Sequence, residues 1–134
     1  MKRCATDTHC LLWFMAKDRR LPHAAQRAFR EAKENRAQIL VPSIVLVEAI
    51  FLTQRQRVSE ELLSQLMTLT EEPDASICVV PLDMAVVRAA KDFGPAAVPE
   101  MPDRIIAATA RALDVPLLTT DPAIAESGLV KVAE

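Results

Sequence analysis

Short apolar runs alternate along the chain with longer stretches in which apolar residues recur every three or four positions, the two spacings that separate strands from helices. Residues 2–6 predict a short strand that leads directly into Asp7, and the apolar run Cys10–Ala16 predicts a first helix. Pro22 suits the first turn of a second helix, with Ala24, Ala25, Ala28, Phe29 and Ala32 inward and Arg27, Arg30, Glu31, Lys33 and Glu34 outward. Ile39–Val41 reads as a buried strand, and Pro42-Ser43 opens a helix over Ile44–Gln54. Ser59 is placed to cap the next amphipathic helix, which carries Leu62, Leu63, Leu66, Met67 and Leu69.

Ile77–Val80 is the next strand, ended by Pro81, after which Asp83 caps a helix that runs through Phe93 and stops at Gly94. Three prolines between Pro95 and Pro102 predict a stiff, extended loop. A helix over Asp103–Leu113, a buried strand over Pro116–Thr119 ending at Asp121, a helical turn near Ala123–Glu126 and a last strand at Leu129–Val132 follow. Short apolar strands alternating with helices predict an α/β fold. We expect a three-layer α/β/α sandwich on a mostly parallel sheet of four to five strands, as a single domain over residues 1–134. In such sheets the functional crevice lies beyond the carboxyl ends of the strands. Asp7 and Asp121 each follow a strand and are expected there.

Composition sharpens this picture in two ways. Apolar residues make up 51% and charged residues 25%, with one Trp, four Phe and no Tyr, so an ordered chain with an aliphatic core is expected. Cys4, Cys10 and Cys78 are odd in number, contain no C-x-x-C pair and are accompanied by only two histidines. That argues against both a disulfide scaffold and structural zinc. Free thiols point to a reducing compartment. The start of the chain imitates a secretory leader, but Asp7 and His9 interrupt its apolar run, and Lys17-Asp18-Arg19-Arg20 stands where small residues would mark cleavage. No stretch approaches the ~18 apolar residues of a membrane span, and a cytoplasmic protein is expected. The net charge of −2 conceals an asymmetry: residues 17–36 carry seven Lys or Arg, and residues 58–77 carry five acids and no base. Such runs are either solvated helix faces or, for the basic one, a nucleic-acid footprint.

Candidate chemistry rests on carboxylates. Asp7, Asp103 and Asp121 each have an ordinary structural reading, as a helix cap, a first-turn acid favoured by the helix dipole, and a turn-initiating Asp-Pro pair. Glu48 does not. It stands inside Ile44-Val45-Leu46-Val47-Glu48-Ala49-Ile50-Phe51-Leu52, a helix expected to be buried on most sides, where an unpaired carboxylate costs several kcal/mol. Either a salt bridge, with Arg104 or Arg55, or a metal ion would satisfy it.

Taken together, four motifs resemble the PIN-domain family, and within it the VapC-type toxins whose first motif reads D-T-H-x-L-L-W. Here these are Asp7-Thr8-His9-Cys10-Leu11-Leu12-Trp13, Pro42–Ala49 around Glu48, Pro102–Ala110 around Asp103, and Pro116–Asp121 with Thr119 beside the last acid. They span about residues 3–132. The resemblance implies a parallel sheet with its first strand central, and an acidic cluster that binds one or two divalent ions and hydrolyses phosphodiester bonds, usually in RNA. By it, Asp7, Asp103 and Asp121 ligate metal, Glu48 ligates a second ion or orients the attacking water, and Thr119 positions the last carboxylate or the water. Oxygen-only ligands suit Mg²⁺ or Mn²⁺. The resemblance further implies an RNA substrate, transfer RNA among the candidates, a small antitoxin that covers the active-site groove, and a homodimer. The chain departs from the family at Glu100-Met101-Pro102-Asp103, where an acid commonly stands three places before the third-motif Asp in the pattern D-P-x-D-R. Glu100 either substitutes for it or is a solvated loop residue. The first strand is also more polar than usual.

Two rival readings differ in class. A non-catalytic PIN-like module for binding RNA or protein would have lost an acid, and all four are present. A receiver-like signalling domain would be phosphorylated on a strand-end Asp, but Asp7 precedes any complete strand–helix unit and has no acidic pair beside it. His9 is expected to hydrogen-bond within the Asp7 turn. Trp13, Phe14 and Leu11 are expected to be core or dimer contacts.

Overall fold

The computed structural model describes residues 1–72 and 76–134, so Asp74 of the acidic run lies outside the described residues. Among the described residues eleven elements follow one another: β1 (Lys2–Thr6), α1 (Thr8–Ala16), α2 (His23–Lys33), β2 (Ala37–Pro42), α3 (Ser43–Gln54), α4 (Glu60–Glu71), β3 (Ile77–Val80), α5 (Met84–Ala90), α6 (Met101–Leu113), β4 (Leu117–Leu118) and α7 (Pro122–Ser127). The four strands form one sheet in the order β3-β2-β1-β4. All pairings are parallel, with Cys4 opposite Ile39, Ile39 opposite Ile77 and Thr6 opposite Leu118. This is the α/β/α arrangement expected from the alternating pattern.

β1 is interior. The chain builds outward from it to β2 and β3, then returns to its other side as β4. The sheet therefore reverses its direction of growth between β1 and β4, the kind of switch point at which parallel sheets open a crevice. There the backbone N–H of Asp7 donates to the carbonyl of Leu118 at 3.0 Å, which fixes the end of β1 against the end of β4.

The core is aliphatic, as the composition requires. Ala5, Ile39, Val41, Leu117 and Leu118 of the strands pack with Leu11, Phe29, Leu66, Ile106 and Ile124 of the helices. The polar start of β1 is its exposed end: Lys2 and Arg3, paired with Ala37 and Gln38 of β2, are exposed, and Cys4, Ala5 and Thr6 are buried. Two caps fall where the sequence places them, with Ser59 accepting from the N–H of Leu62 and Asp83 from that of Val86, each at 3.1 Å.

Four expectations are corrected. α3 is buried on fewer sides than expected: only Val45 and Ala49 are fully buried, and Val47 and Phe51 are 41% and 55% exposed, so an apolar sequence here marks an open face as well as a core. α5 stops at Ala90, four residues before Gly94, with Lys91 in ordinary helical geometry. The segment before α6 is turned rather than extended, because the carbonyl of Gly94 accepts from the N–H groups of Ala97 and Val98, and α6 begins already at Met101. The last strand shrinks to one bridge between Leu117 and Val132, since β4 offers only two residues to pair with.

Candidate active site

Asp7 leaves β1 in extended geometry and caps α1, its Oδ1 accepting the N–H of Cys10 at 2.8 Å. Its Oδ2 accepts the hydroxyl of Thr119 at 2.6 Å. Both oxygens are thus aimed by donors, and the residue is buried to 8% exposure. Thr119 also accepts the N–H of Asp121 at 3.0 Å, and Asp121 in turn caps α7 through the N–H of Ala123 at 2.9 Å. The structural readings of Asp7 and Asp121 as caps are therefore true and compatible with a site. The helices need an acceptor at their first turns, and the capping geometry pins each carboxylate at a strand end.

Asp103 sits in the first turn of α6. Its carboxyl is pushed up to about 6, first by burial, then by the charges of Asp121, Glu48 and Asp7, and by a hydrogen bond shared with Asp121. One group therefore feels all three of the other acids named from the sequence, although they come from β1, α3 and the end of β4. Glu100 is exposed and is not among the charges acting on Asp103.

Glu48 is half-buried on α3 and accepts the hydroxyl of Thr8, at 2.5 Å. It forms no ion pair with Arg104 or Arg55. The Arg104 guanidinium donates instead to the carbonyls of Val98 and Pro99. Among the described residues, none of the four carboxylates is in a salt bridge. The pairs that form are Lys2–Glu31, Arg20–Asp18, Arg36–Glu34 and Arg111–Asp92.

Whether these residues fit a metal turns on donor chemistry and spacing. The donors are oxygens, which suit hard divalent cations. Among the described residues, however, no three acids, histidines or cysteines stand close enough together to hold an ion as they are placed. Asp7 and Asp121 are held by backbone and hydroxyl donors and Glu48 by the Thr8 hydroxyl, so Asp103 is the group left to close in. Four like charges repel until a cation compensates them, and at Asp103 that repulsion adds to burial in raising the pKa. The donor set fits a divalent ion, with closure required of Asp103.

The nearby thiol takes no part in this chemistry. Cys10 is buried, and burial, the charge of Asp7 and a hydrogen bond to Asp7 raise its pKa well above the usual thiol range. His9 is exposed and lies against Trp13, with ring centroids 5.7 Å apart. The hydrogen bond expected of it within the Asp7 turn is made by the N–H of Cys10. The residue missed from the sequence is Thr8. It stands inside the first motif, and a hydroxyl immediately after a strand-end acid was the available signal.

A second feature lies between α1, α2 and α4, away from the carboxylates. A groove of about 660 Å³ is lined by Trp13, Phe14, Met15, Leu21 and Leu69 and edged by Lys17, Arg19, Arg30 and Lys33. Phe14 stacks on Phe29 at 4.1 Å, Lys33 lies over Phe14 and Arg20 over Trp13, each at 5.1 Å. Leu11 alone of the three apolar residues of α1 singled out from sequence is fully in the core.

The PIN domain model matches residues 5–128, and the chain belongs to the PIN domain family. Its fold is that of VapC-type toxins. It superimposes on VapBC2 from Rickettsia felis, solved bound to a promoter DNA fragment, with a TM-score of 0.73 at 15% identity over 97% of this chain and 96% of that one. It is similar also to VapC20 from Mycobacterium tuberculosis, described as a sarcin–ricin loop cleaving toxin (TM-score 0.70, 15% identity, 98% and 99% covered). A toxin–antitoxin complex from Klebsiella pneumoniae matches at 0.58, with 15% identity and 88% and 86% covered. Comparison with the curated proteins finds no match.

Proposed function

We propose that this chain is a Mg²⁺- or Mn²⁺-dependent endoribonuclease, the toxin of a toxin–antitoxin pair acting in the cytoplasm. One observation carries the reading: the charges of three carboxylates from distant parts of the chain bear on a fourth, Asp103, at the switch point of a parallel sheet, and among the described residues none of the four has a cationic partner. Such a concentration of charge is costly unless a ligand compensates it. Asp7, Glu48, Asp103 and Asp121 would hold the ion or ions. A bound divalent cation supplies charge neutralisation at the scissile phosphate and a more acidic water.

The chain's own residues do the positioning. The Cys10 N–H and the Thr119 hydroxyl aim the two oxygens of Asp7. Thr119 also fixes the backbone at Asp121. Glu48, on a separate helix, would orient the attacking water, and Asp103 keeps its proton to a higher pH than an ordinary aspartate until the site is compensated.

The groove between α1, α2 and α4 supports the antitoxin part of the reading. Its apolar floor and basic edge fit an amphipathic segment with acidic flanks, so Arg30 and Lys33 belong to protein recognition rather than to an RNA footprint. Exposed Val47 and Phe51 of α3, Met84 and Val87 of α5 and Met101 of α6 support a homodimer, since α3 and α5 both pack beside α6. The test is a cleavage assay on structured RNAs, a transfer RNA and a sarcin–ricin loop oligonucleotide among them, with Mg²⁺ or Mn²⁺, with EDTA, and with Asp7→Asn. Metal-dependent cleavage absent from the variant is expected, and undiminished cleavage in excess EDTA would falsify the reading.

A further inference from the structure

Thr8 is the first residue of α1 and is 2% exposed. Its hydroxyl does not serve its own helix. Thr53, Thr70 and Thr109 each donate to a carbonyl one turn back, on Ala49, Leu66 and Ile105, the usual local use of such a hydroxyl inside a helix. Thr8 instead donates to Glu48 Oε1 at 2.5 Å across forty residues of sequence. The backbone that carries it is fixed, because the preceding residue donates to the Leu118 carbonyl at 3.0 Å and accepts from the Cys10 N–H at 2.8 Å.

Glu48 needs such a tether. Its side chain has several rotatable bonds, the charge of Asp103 lies close by, and among the described residues no cation pairs with it. Left free, it would turn outward to water and away from the other acids. A hydroxyl donor engages one carboxylate oxygen and leaves the other for a ligand. Because Thr8 and Asp7 are consecutive on one rigid turn, the same piece of backbone sets the position of two carboxylates from different elements. We propose that Thr8 is a positioning residue that holds Glu48 beside Asp7 and so sets the affinity of the site for its divalent ion. The inference rests on the metal-dependent reading above.

The experiment is a titration of free Mn²⁺ by electron paramagnetic resonance, without RNA, on wild type, Thr8→Val, Thr8→Ser, Glu48→Gln and the double variant Thr8→Val/Glu48→Gln. Outer-sphere partners of metal ligands are commonly worth about 10–100-fold in affinity, so Thr8→Val is expected to bind Mn²⁺ at least about tenfold more weakly. Thr8→Ser keeps the hydroxyl and restores binding. Thr8→Val adds no further loss once Glu48 is Gln, because a linked pair is non-additive. Thr8→Ala replaces Thr8→Val should the valine variant not fold. Three results overturn the inference while leaving the metal reading intact: Thr8→Val binding like wild type, Thr8→Ser failing to rescue, or an equal loss in the Glu48→Gln background. A wild-type protein that takes up no Mn²⁺ overturns both.

Discussion

The carboxylate crevice and the α1/α2/α4 groove sit on one molecule and handle charge in opposite ways. In the crevice, acids from β1, α3, α6 and the end of β4 are brought together, and their partners are hydroxyls and backbone N–H groups. In the groove, cations lie over aromatic faces, and the floor is apolar and open. Uncompensated charge of one sign calls for a small hard ligand of the other. Open apolar surface edged by cations calls for another chain. The comparison teaches that a chain with a net charge of only −2 can hold two strongly polarised surfaces with different kinds of partner, which its overall balance conceals.

The largest expected effect breaks the crevice and spares the groove. Asp7→Asn, Asp103→Asn and Glu48→Gln are each expected to lower RNA cleavage by about 10²–10⁴-fold, the range of a single positioned catalytic group, and in combination by much less than the product. Initial-rate assays with saturating Mn²⁺ check this, and none of the three should change binding of acidic amphipathic peptides.

Next in size is the pH dependence of stability. Asp103 has its folded pKa raised to about 6, above the ~3.9 of an unfolded Asp. The folded state therefore holds that proton more tightly, and the metal-free protein loses stability as pH rises from about 4 to about 6, with little further change beyond. Because the group is only half-buried, the loss is discounted to about 1–2 kcal/mol. Asp103→Asn should flatten the profile. Mn²⁺ at a hundred times its dissociation constant should add about 2.7 kcal/mol to wild type at neutral pH. Melting curves at pH 4, 5, 6 and 7, with EDTA and with Mn²⁺, separate these effects, and an Asp103→Asn profile as steep as wild type would assign the slope elsewhere.

The groove is tested from the other direction. Trp13→Ala should weaken binding of an acidic amphipathic peptide by about 2 kcal/mol, the scale of an aromatic hot spot. Arg30→Glu with Lys33→Glu should remove its salt dependence. Neither should change the salt slope of RNA binding, and a slope flattened by about one unit per residue would return these cations to the RNA. The smallest effect is on assembly. Phe51→Glu should shift the sedimentation profile toward monomer while leaving the melting temperature within a few degrees, because the ring is 55% exposed. An unchanged profile would mean that the exposed face of α3 is not the one that pairs.

Much of this was legible before any fold was known. The alternation of short apolar runs and helical stripes gave the parallel sheet, the caps at Ser59 and Asp83 gave helix starts, and four acids in four motifs gave the candidate site. Those features are local: a spacing, a cap or a strand-end acid is decided by residues a few positions apart. What misled was burial. Ile44–Leu52 is apolar on every side, yet one face of it is open, and hydrophobicity alone does not say whether a surface meets its own core or another molecule. Gly94 was a plausible helix stop, but α5 ends at Ala90.

By itself, then, the sequence determined most of the elements and their parallel α/β order, because periodicity and capping act through neighbours along the chain, and its four motifs named the candidate acids. Only the tertiary structure decided who partners whom. It turned Arg104 to the loop carbonyls and away from Glu48, gave Glu48 to Thr8, set Thr119 on Asp7 across 112 positions, and let three distant charges converge on Asp103. Those contacts depend on the packing of α3 and α6 across the end of a sheet whose growth reverses at β1, and no local spacing encodes them.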